Sequence, residues 1–202
     1  MKKLAISTLA LLIACPAFAG AYSDDPTEST WQLWGLNTYI GVHGGLSYTN
    51  LNYRFNDAKE TAGDMVWQGH ASMGLEVCKT WRSEIEYSIF TKAKDTKDFG
   101  NIQGIELSTK LQTLLMNNYM EFGDWDVIRP FVGIGLGIAF VDVDASGPAS
   151  SLSKTKFSGM GTVGVTFDMD RFAVDIAGRY NYVDVASGLH NFGGDIGVRF
   201  KF

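Results

Sequence analysis

The sequence predicts an all-β fold, an eight-stranded antiparallel up-and-down transmembrane β-barrel. Three observations lead to this prediction. Apolar and polar residues alternate along eight segments, the connections alternate between short turns and longer polar loops, and aromatic residues collect at the two ends of the segments. A strand with one apolar and one polar face suits a wall that has lipid on one side and a polar lumen on the other.

The N-terminus has the features of a secretory signal peptide. Two lysines precede an apolar run that is too short to span a bilayer as a helix, and the run ends in an A-x-A cleavage pattern. Cleavage is therefore expected between Ala19 and Gly20. The alternative is a lipoprotein with its lipid on Cys15. After cleavage at Ala19, Cys78 is the one cysteine left, so no internal disulfide is expected.

Composition agrees with a single β domain that does not bind nucleic acid. The chain has 202 residues with a formal charge of −5, and removing the two leader lysines leaves 15 basic and 22 acidic side chains, a charge of −7. A nucleic-acid-binding domain needs a basic face. After the leader no stretch approaches 18 consecutive apolar residues, so no transmembrane helix is expected. The mean hydropathy near zero fits alternation, because the two faces cancel.

Residues 20–36 are predicted to form a periplasmic lead-in. Trp31 and Trp34 are expected at the periplasmic interface between the outer membrane and water. The barrel then occupies residues 37–202. Its strands are predicted at Asn37–Asn50, Val66–Cys78, from the turn at Cys78–Trp81 to Thr91, and at Gly104–Phe122, Val127–Val141, Lys156–Asp168, Arg171–Val183 and Leu189–Phe202. The polar connections are predicted at Leu51–Met65, Lys92–Gln103, Asp142–Thr155 and Asp184–Gly188.

The last strand has the clearest alternation and fixes the expected closure. Phe192, Ile196 and Phe200 fall on one parity, whereas Asp195 and Arg199 fall on the other. No open sheet edge is tolerated in lipid, so this strand should pair antiparallel with Asn37–Asn50. An even number of strands then places both ends of the barrel on the periplasmic side.

The aromatic residues are expected to form two girdles on the outer surface. A soluble sandwich, the alternative fold, would not require this segregation. The turn-end group is Trp34, Trp81, Trp125, Phe172 and Phe202, and the loop-end group is Tyr48, Trp67, Phe90, Phe140, Phe157 and Tyr182.

Charged residues on the inward parity predict a filled lumen. The predicted network contains Glu76, Arg82, Glu84, Glu86, Lys110, Asp175, Arg179, Asp195 and Arg199. The fourth strand alternates least clearly, and its prediction places Lys110, Gln112 and Asn118 inside. Because eight strands leave an interior just wide enough for side chains, we expect a salt-bridged plug. The alternative is a narrow gated pore.

Other patterns point only weakly to chemistry. His70 and Ser72 share a strand face and could pair as base and nucleophile of a lipid A deacylase, but that face points into the lumen, away from a lipid substrate. Gly133, Gly135 and Gly137 lie at spacing two within a strand and indicate close backbone packing rather than a dinucleotide site. No cofactor or metal site is predicted.

Three stretches resemble the small outer-membrane β-barrel family of opacity-type and OmpA-transmembrane-like surface proteins. They are Trp81–Tyr87, Arg129–Gly137 and Gly197–Phe202. The resemblance implies an integral outer-membrane protein, often a surface antigen or adhesin, with no implied reaction.

The same resemblance implies partners. They are outer-membrane lipid and lipopolysaccharide, the assembly machinery, and host or environmental ligands that bind the loops of a monomer. It also implies that the assembly machinery reads the C-terminal residues Phe202, Phe200 and Val198.

Overall fold

The computed structural model describes residues 37–55, 58–78, 80–99, 102–123, 127–145, 152–169, 171–185 and 188–202. The predicted leader, its cleavage position at Ala19 and Gly20, the lead-in, Trp34 and Trp125 lie outside these residues. Nine strands are present: β1 Asn37–Phe55, β2 Ala58–Cys78, β3 Trp81–Phe90, β4 Ala93–Phe99, β5 Ile102–Glu121, β6 Ile128–Ala145, β7 Leu152–Met169, β8 Phe172–Val183 and β9 Leu189–Lys201.

The strands close into an eight-stranded antiparallel barrel. β3 and β4 are separated only by Thr91 and Lys92, and both pair with β5, so together they make one position in the wall. Every other strand pairs with its neighbours in sequence, and β1 pairs with β9. Ile40 lies opposite Phe200, which confirms the predicted pairing of the first and last strands.

The wall has an apolar outer face and a polar inner face. In β9, Phe192 and Ile196 are more than half exposed, whereas Asn191 and Asp195 are buried. Exposed apolar surface on this scale is rare in soluble proteins but is what a lipid-facing wall requires. No helix among the residues described is long and apolar enough to cross a membrane.

We call the end with the 79–80 connection the turn end, and the end with the 56–57 connection the loop end. The strands continue further at the loop end than the sequence predicted. The ladder between β1 and β2 runs to Phe55 and Ala58, so most of the predicted loop Leu51–Met65 is a hairpin.

The predicted loops Lys92–Gln103 and Asp142–Thr155 are likewise largely strand. Backbone pairing continues past the segments in which apolar and polar residues alternate, so the sequence pattern that marks a strand ends before the ladder does. The fourth predicted loop, Asp184–Gly188, keeps its predicted bounds, because β8 ends at Val183 and β9 begins at Leu189.

The aromatic residues largely follow the predicted arrangement, with one correction. Phe172 and Phe202 are exposed at the turn end, and Tyr48 and Trp67 are exposed at the loop end. Phe90 is 5% exposed and points into the lumen, so its assignment to the outer girdle was wrong.

The face prediction for the fourth wall position, β5, was also wrong. Lys110 is exposed on the outer face, and Gln112 and Asn118 share that face. Leu115 and Tyr119 point inward instead. Apolar residues occupy both parities of this strand, so its own sequence does not distinguish the faces.

Candidate functional site in the barrel lumen

Alternation along the strands brings eight of the nine predicted network residues into the lumen, whereas Lys110 lies outside. The inward eight are Glu76, Arg82, Glu84, Glu86, Asp175, Arg179, Asp195 and Arg199. They come from β2, β3, β8 and β9 and are distributed from the turn end to the middle of the barrel.

Glu84 is the centre of the turn-end half. Its carboxylate accepts hydrogen bonds from the hydroxyl groups of Tyr39 and Tyr119, both at 2.9 Å, and from Asn117 Nδ2 at 3.3 Å. Arg82 Nη1 lies 3.6 Å from the same group. A buried carboxylate with this many donors is compensated for the loss of water.

The Arg82 side chain is held by a carboxylate and by aromatic rings. Its Nε lies 3.0 Å from Glu121 Oε1. The guanidinium carbon lies 3.9 Å from the centre of the Tyr119 ring and 4.9 Å from that of Phe131. This arrangement combines an ion pair with cation–π contacts, and it fixes the orientation of Arg82 across the lumen.

Arg199 binds Asp175 with two nitrogens. Nε lies 2.6 Å from Oδ2, and Nη2 lies 3.1 Å from Oδ1. The Thr166 hydroxyl donates to Asp175 Oδ1 at 2.6 Å. The planar fork of arginine matches a carboxylate in this geometry, so the pair joins β8, β9 and β7 rigidly.

A partly exposed rim lies at the turn end of the lumen. Lys201 Nζ contacts Asp168 Oδ2 at 2.7 Å and Glu76 Oε1 at 3.2 Å. Arg129 Nη1 contacts the same Asp168 oxygen at 3.1 Å. The side chains of Arg129, Glu76 and Lys201 are 30%, 22% and 15% exposed, so solvent reaches this rim.

A ring of polar groups crosses the middle of the lumen. Arg179 Nη1 donates to both oxygens of Glu86 at 2.8 and 2.7 Å, and Arg179 Nε lies 2.6 Å from Asp195 Oδ2. Ser88 donates to Glu86 Oε1 at 2.8 Å. His70 closes the ring, with Nδ1 2.7 Å from Ser88 Oγ and Nε2 3.8 Å from Asp195 Oδ2.

His70 and Ser72 do not form the base–nucleophile pair that the sequence allowed. The imidazole bonds to Ser88 instead, and no hydrogen-bond partner of Ser72 Oγ is found among the residues described. Both side chains are at most 8% exposed inside the barrel. Neither side chain is therefore open to the lipid-facing surface of the wall.

An apolar layer that the sequence patterns did not predict lies at the loop end of the lumen, and we call it the septum. Its side chains point inward from six wall positions and are at most 5% exposed. They are Val66, Phe90, Leu111, Ala139, Val141, Val183 and Leu189. The lumen is therefore closed by a polar network and by a separate apolar layer.

The inward glycines of β6 make room for large side chains of β5. Tyr119 lies opposite Gly133, Asn117 lies opposite Gly135, and a side chain added at either glycine would collide with the larger residue. This agrees with the close packing predicted for these glycines.

Several residues of the network were missed. Two of them, Asn117 and Tyr119, lie on the strand whose inward face the sequence left uncertain, and two others, Tyr39 and Glu121, lie close to strand ends. The roles of all four depend on partners from other strands. Lys201 is different, because it lies on the polar parity of the last strand and that signal was available. No group of three or more His, Cys, Asp or Glu side chains suited to a metal ion exists in the described part of the chain.

Comparisons with known proteins agree with this architecture. A family model described as an outer membrane protein beta-barrel domain matches residues 6–202. No curated protein sequence matches the chain significantly.

Solved structures show the same fold at low sequence identity. Neisserial surface protein A, NspA, is 19% identical with a TM-score of 0.62, covering 82% of this chain and 97% of its own. Ail, the attachment invasion locus protein of Yersinia pestis, is 13% identical with a TM-score of 0.53, covering 83% and 99%. OprG of Pseudomonas aeruginosa is 15% identical with a TM-score of 0.51, covering 81% and 95%.

Proposed function

The chain belongs to the outer membrane protein β-barrel family and is a protein of the bacterial outer membrane, and on that premise we propose a non-enzymatic role. The barrel acts as a closed support that presents its loop-end hairpins at the cell surface for structural or adhesive contacts. The observation that carries this proposal is the filled lumen, in which buried charges are paired and an apolar septum closes the loop end.

A plugged lumen fits a support better than a transport path. Breaking a buried ion pair leaves an uncompensated charge, at a cost of about 3–5 kcal/mol. Opening a path along the axis would require several such pairs to separate together. The alternative roles are a narrow small-solute channel and, with less support, a lipid A-modifying enzyme.

The proposed orientation places the turn end and both ends of the barrel in the periplasm. In this orientation outer-membrane lipid and lipopolysaccharide surround the wall, and the assembly machinery reads the C-terminal strand through Phe202, Phe200 and Val198. The extended hairpins β1–β2, β4–β5 and β6–β7 then project outward and meet host or environmental ligands. The barrel is proposed to work as a monomer.

Single cysteines test the orientation. Lys92 is exposed at the loop end and Thr80 is exposed at the turn end. In a Cys78→Ser background, a membrane-impermeant maleimide should label Lys92→Cys but not Thr80→Cys in intact cells, and both after lysis. Labelling of Thr80→Cys alone in intact cells would reverse the proposed orientation.

Conductance measurements test whether the barrel is a closed support or a channel. The wild-type protein in phosphatidylcholine bilayers should show no steady openings. Openings that survive Glu86→Gln and Arg199→Gln would favour the channel.

Loss of an acyl chain from lipid A that requires Ser72 would instead favour the enzyme.

Ail has been crystallised with a heparin analogue, sucrose octasulfate, so heparin belongs in the ligand screen. The acidic balance of this chain leads us to expect weak binding to it.

A further inference from the structure

Buried polar atoms without a hydrogen-bond partner occur on most strands of the described lumen, and the largest group belongs to β1 and β2. Both ring nitrogens of His43, both amide atoms of Gln68, Nε2 of His70 and Oγ of Ser72 are buried, and none has a hydrogen-bond partner among the residues described. All four side chains belong to β1 and β2. Buried polar groups in native proteins are satisfied by protein or by ordered water, so this wall requires water.

These groups are neighbours in space. His43 lies directly opposite His70, and Ser72 lies opposite Gly41. The position that a Cβ of Gly41 would occupy is 2.7 Å from Ser72 Oγ and 3.4 Å from His43 Nε2. Ser72 Oγ and His43 Nε2 therefore border the same space beside Gly41.

The hydrogen bonds of His70 identify one place for a water molecule. Ser88 has a single hydroxyl proton and donates it to Glu86, so His70 Nδ1 must donate to Ser88 Oγ. In the neutral ring Nε2 is then an acceptor, and it faces Asp195 Oδ2 at 3.8 Å. Two acceptors at this separation need a donor between them, and one water molecule can donate to both.

The opposite wall is different. Leu115, Tyr119, Phe131, Met160 and Ala177 form an apolar cluster on β5 to β8. Across the described lumen, an apolar patch on β5 to β8 therefore faces the unpartnered polar groups of β1 and β2. At the turn end, β2 and β9 carry the solvent-accessible rim residues Glu76 and Lys201.

The septum begins at the level of Gln68, which lies opposite Phe90. On β1, Ser47 lies opposite a septum residue of β2 and accepts a hydrogen bond from Asn191. The Phe90 ring contacts the His70 ring edge to face, with centroids 6.1 Å apart. Apolar constrictions in narrow pores exclude water and thereby block ions. The septum is thus placed to separate water in the lumen from the loop end.

We propose that ordered water occupies the β9–β1–β2 side of the lumen as far as Gln68, and that the septum is the barrier that keeps this hydrated lumen from conducting. The inference rests on the proposed function in assuming a silent wild-type protein. It adds that the apolar layer, and not the ion pairs alone, prevents the wild-type barrel from conducting ions.

The charge of the lumen sets the selectivity expected after the septum is opened. Between the turn end and the septum, seven described carboxylates and five described cationic groups face inward; they are Glu76, Glu84, Glu86, Glu121, Asp168, Asp175 and Asp195 against Arg82, Arg129, Arg179, Arg199 and Lys201. The excess is negative when His43 and His70 are neutral. An opened lumen should prefer cations.

The test uses the full chain in phosphatidylcholine bilayers and two septum variants, Phe90→Ser and Leu111→Ser. Each has a matched control on the lipid-facing side of the same strand, Ile89→Ser and Leu114→Ser. We expect each septum variant to raise cation flux at least about tenfold, which corresponds to a barrier lowered by ~1.4 kcal/mol. The controls should remain silent, and a shift in gel mobility on boiling verifies that each protein is folded.

A second measurement addresses the water itself. Magnetisation transfer from water to the His70 ring and the Gln68 side-chain amide should be observed by NMR in the wild-type protein. Absence of transfer to both groups would overturn the hydrated lumen.

The conductance outcomes separate the two proposals. Folded septum variants that stay silent, or that conduct no better than their controls, would overturn the role of the septum and leave the closed support intact. Steady openings in the wild-type protein would overturn the closed support itself.

Discussion

Arg179 and Glu86 lie 93 positions apart in the chain, yet Nη1 of the arginine donates to both oxygens of the glutamate at 2.8 and 2.7 Å. The bond crosses the lumen from β8 to β3, two strands that are not neighbours in the wall. It therefore connects opposite sides of the barrel. The pair acts as a strut across the lumen, so its loss should lower the free energy of unfolding of the whole barrel.

Replacement of one partner tests that strut. Arg179→Met should lower the free energy of unfolding by about 3–5 kcal/mol, because Glu86 and Asp195 are left buried without their cation. Urea unfolding in phospholipid vesicles measures the change. The double replacement Arg179→Met with Glu86→Leu should recover part of the loss, and a double variant as unstable as the sum of both single ones would contradict the coupling.

The donors to Glu84 provide a second test. Tyr119→Phe removes a hydroxyl that donates to a buried carboxylate, so we expect a loss of about 1.5–3 kcal/mol in the free energy of unfolding. Tyr182→Phe is the control, because that side chain points toward lipid. Equal effects at the two tyrosines would show that the bond to Glu84 contributes nothing specific.

Glycines on the two faces of the wall should respond differently to alanine. At Gly133 an added Cβ would collide with the Tyr119 ring, whereas at Gly161 nothing lies within 4 Å of it. Gly133→Ala should therefore cost about 1–3 kcal/mol through overpacking. Gly161→Ala should be neutral or stabilising, since it also reduces the freedom of the unfolded chain. Unfolding of the two variants in phospholipid vesicles measures both changes. A larger loss of stability for Gly161→Ala than for Gly133→Ala would contradict the inward packing of Gly133.

The C-terminal strand is expected to act in assembly as well as in closure. Phe202→Ser should reduce the amount of protein assembled in cells while folding in detergent micelles is largely retained, because the residue is 42% exposed at the end of β9 and supports little packing. Quantitative blotting of outer-membrane fractions measures the first effect. Unchanged membrane levels would count against a role of this residue in assembly.

A cross-link provides the matching check on closure. Val42 and Val198 lie directly opposite in β1 and β9, and opposed antiparallel residues lie within the range that a disulfide bridges. Val42→Cys with Val198→Cys, in a Cys78→Ser background, should cross-link in the assembled protein. Val42→Cys with Val174→Cys, which lies on β8, should not.

The sequence by itself determined the barrel, its eight wall positions and the inward parity of most strands. These follow from a local rule, since side chains alternate along a strand and lipid on one side requires that face to be apolar. Glu86, Arg179 and Asp195 could be placed in the lumen on this basis. Their partners could not, because a partner depends on which strands face each other across the lumen.

The tertiary structure decided the side-chain directions that the local sequence pattern left undetermined. β5 is apolar on both parities, and it turns Leu115 and Tyr119 inward because the inward glycines of β6 lie beside them and leave the space. Lys110 consequently lies outside. Phe90 is an aromatic residue near a strand end, which suits a girdle, but its parity in β3 directs it into the septum. Packing across the lumen depends on residues distant in sequence, so only the closed barrel determines it.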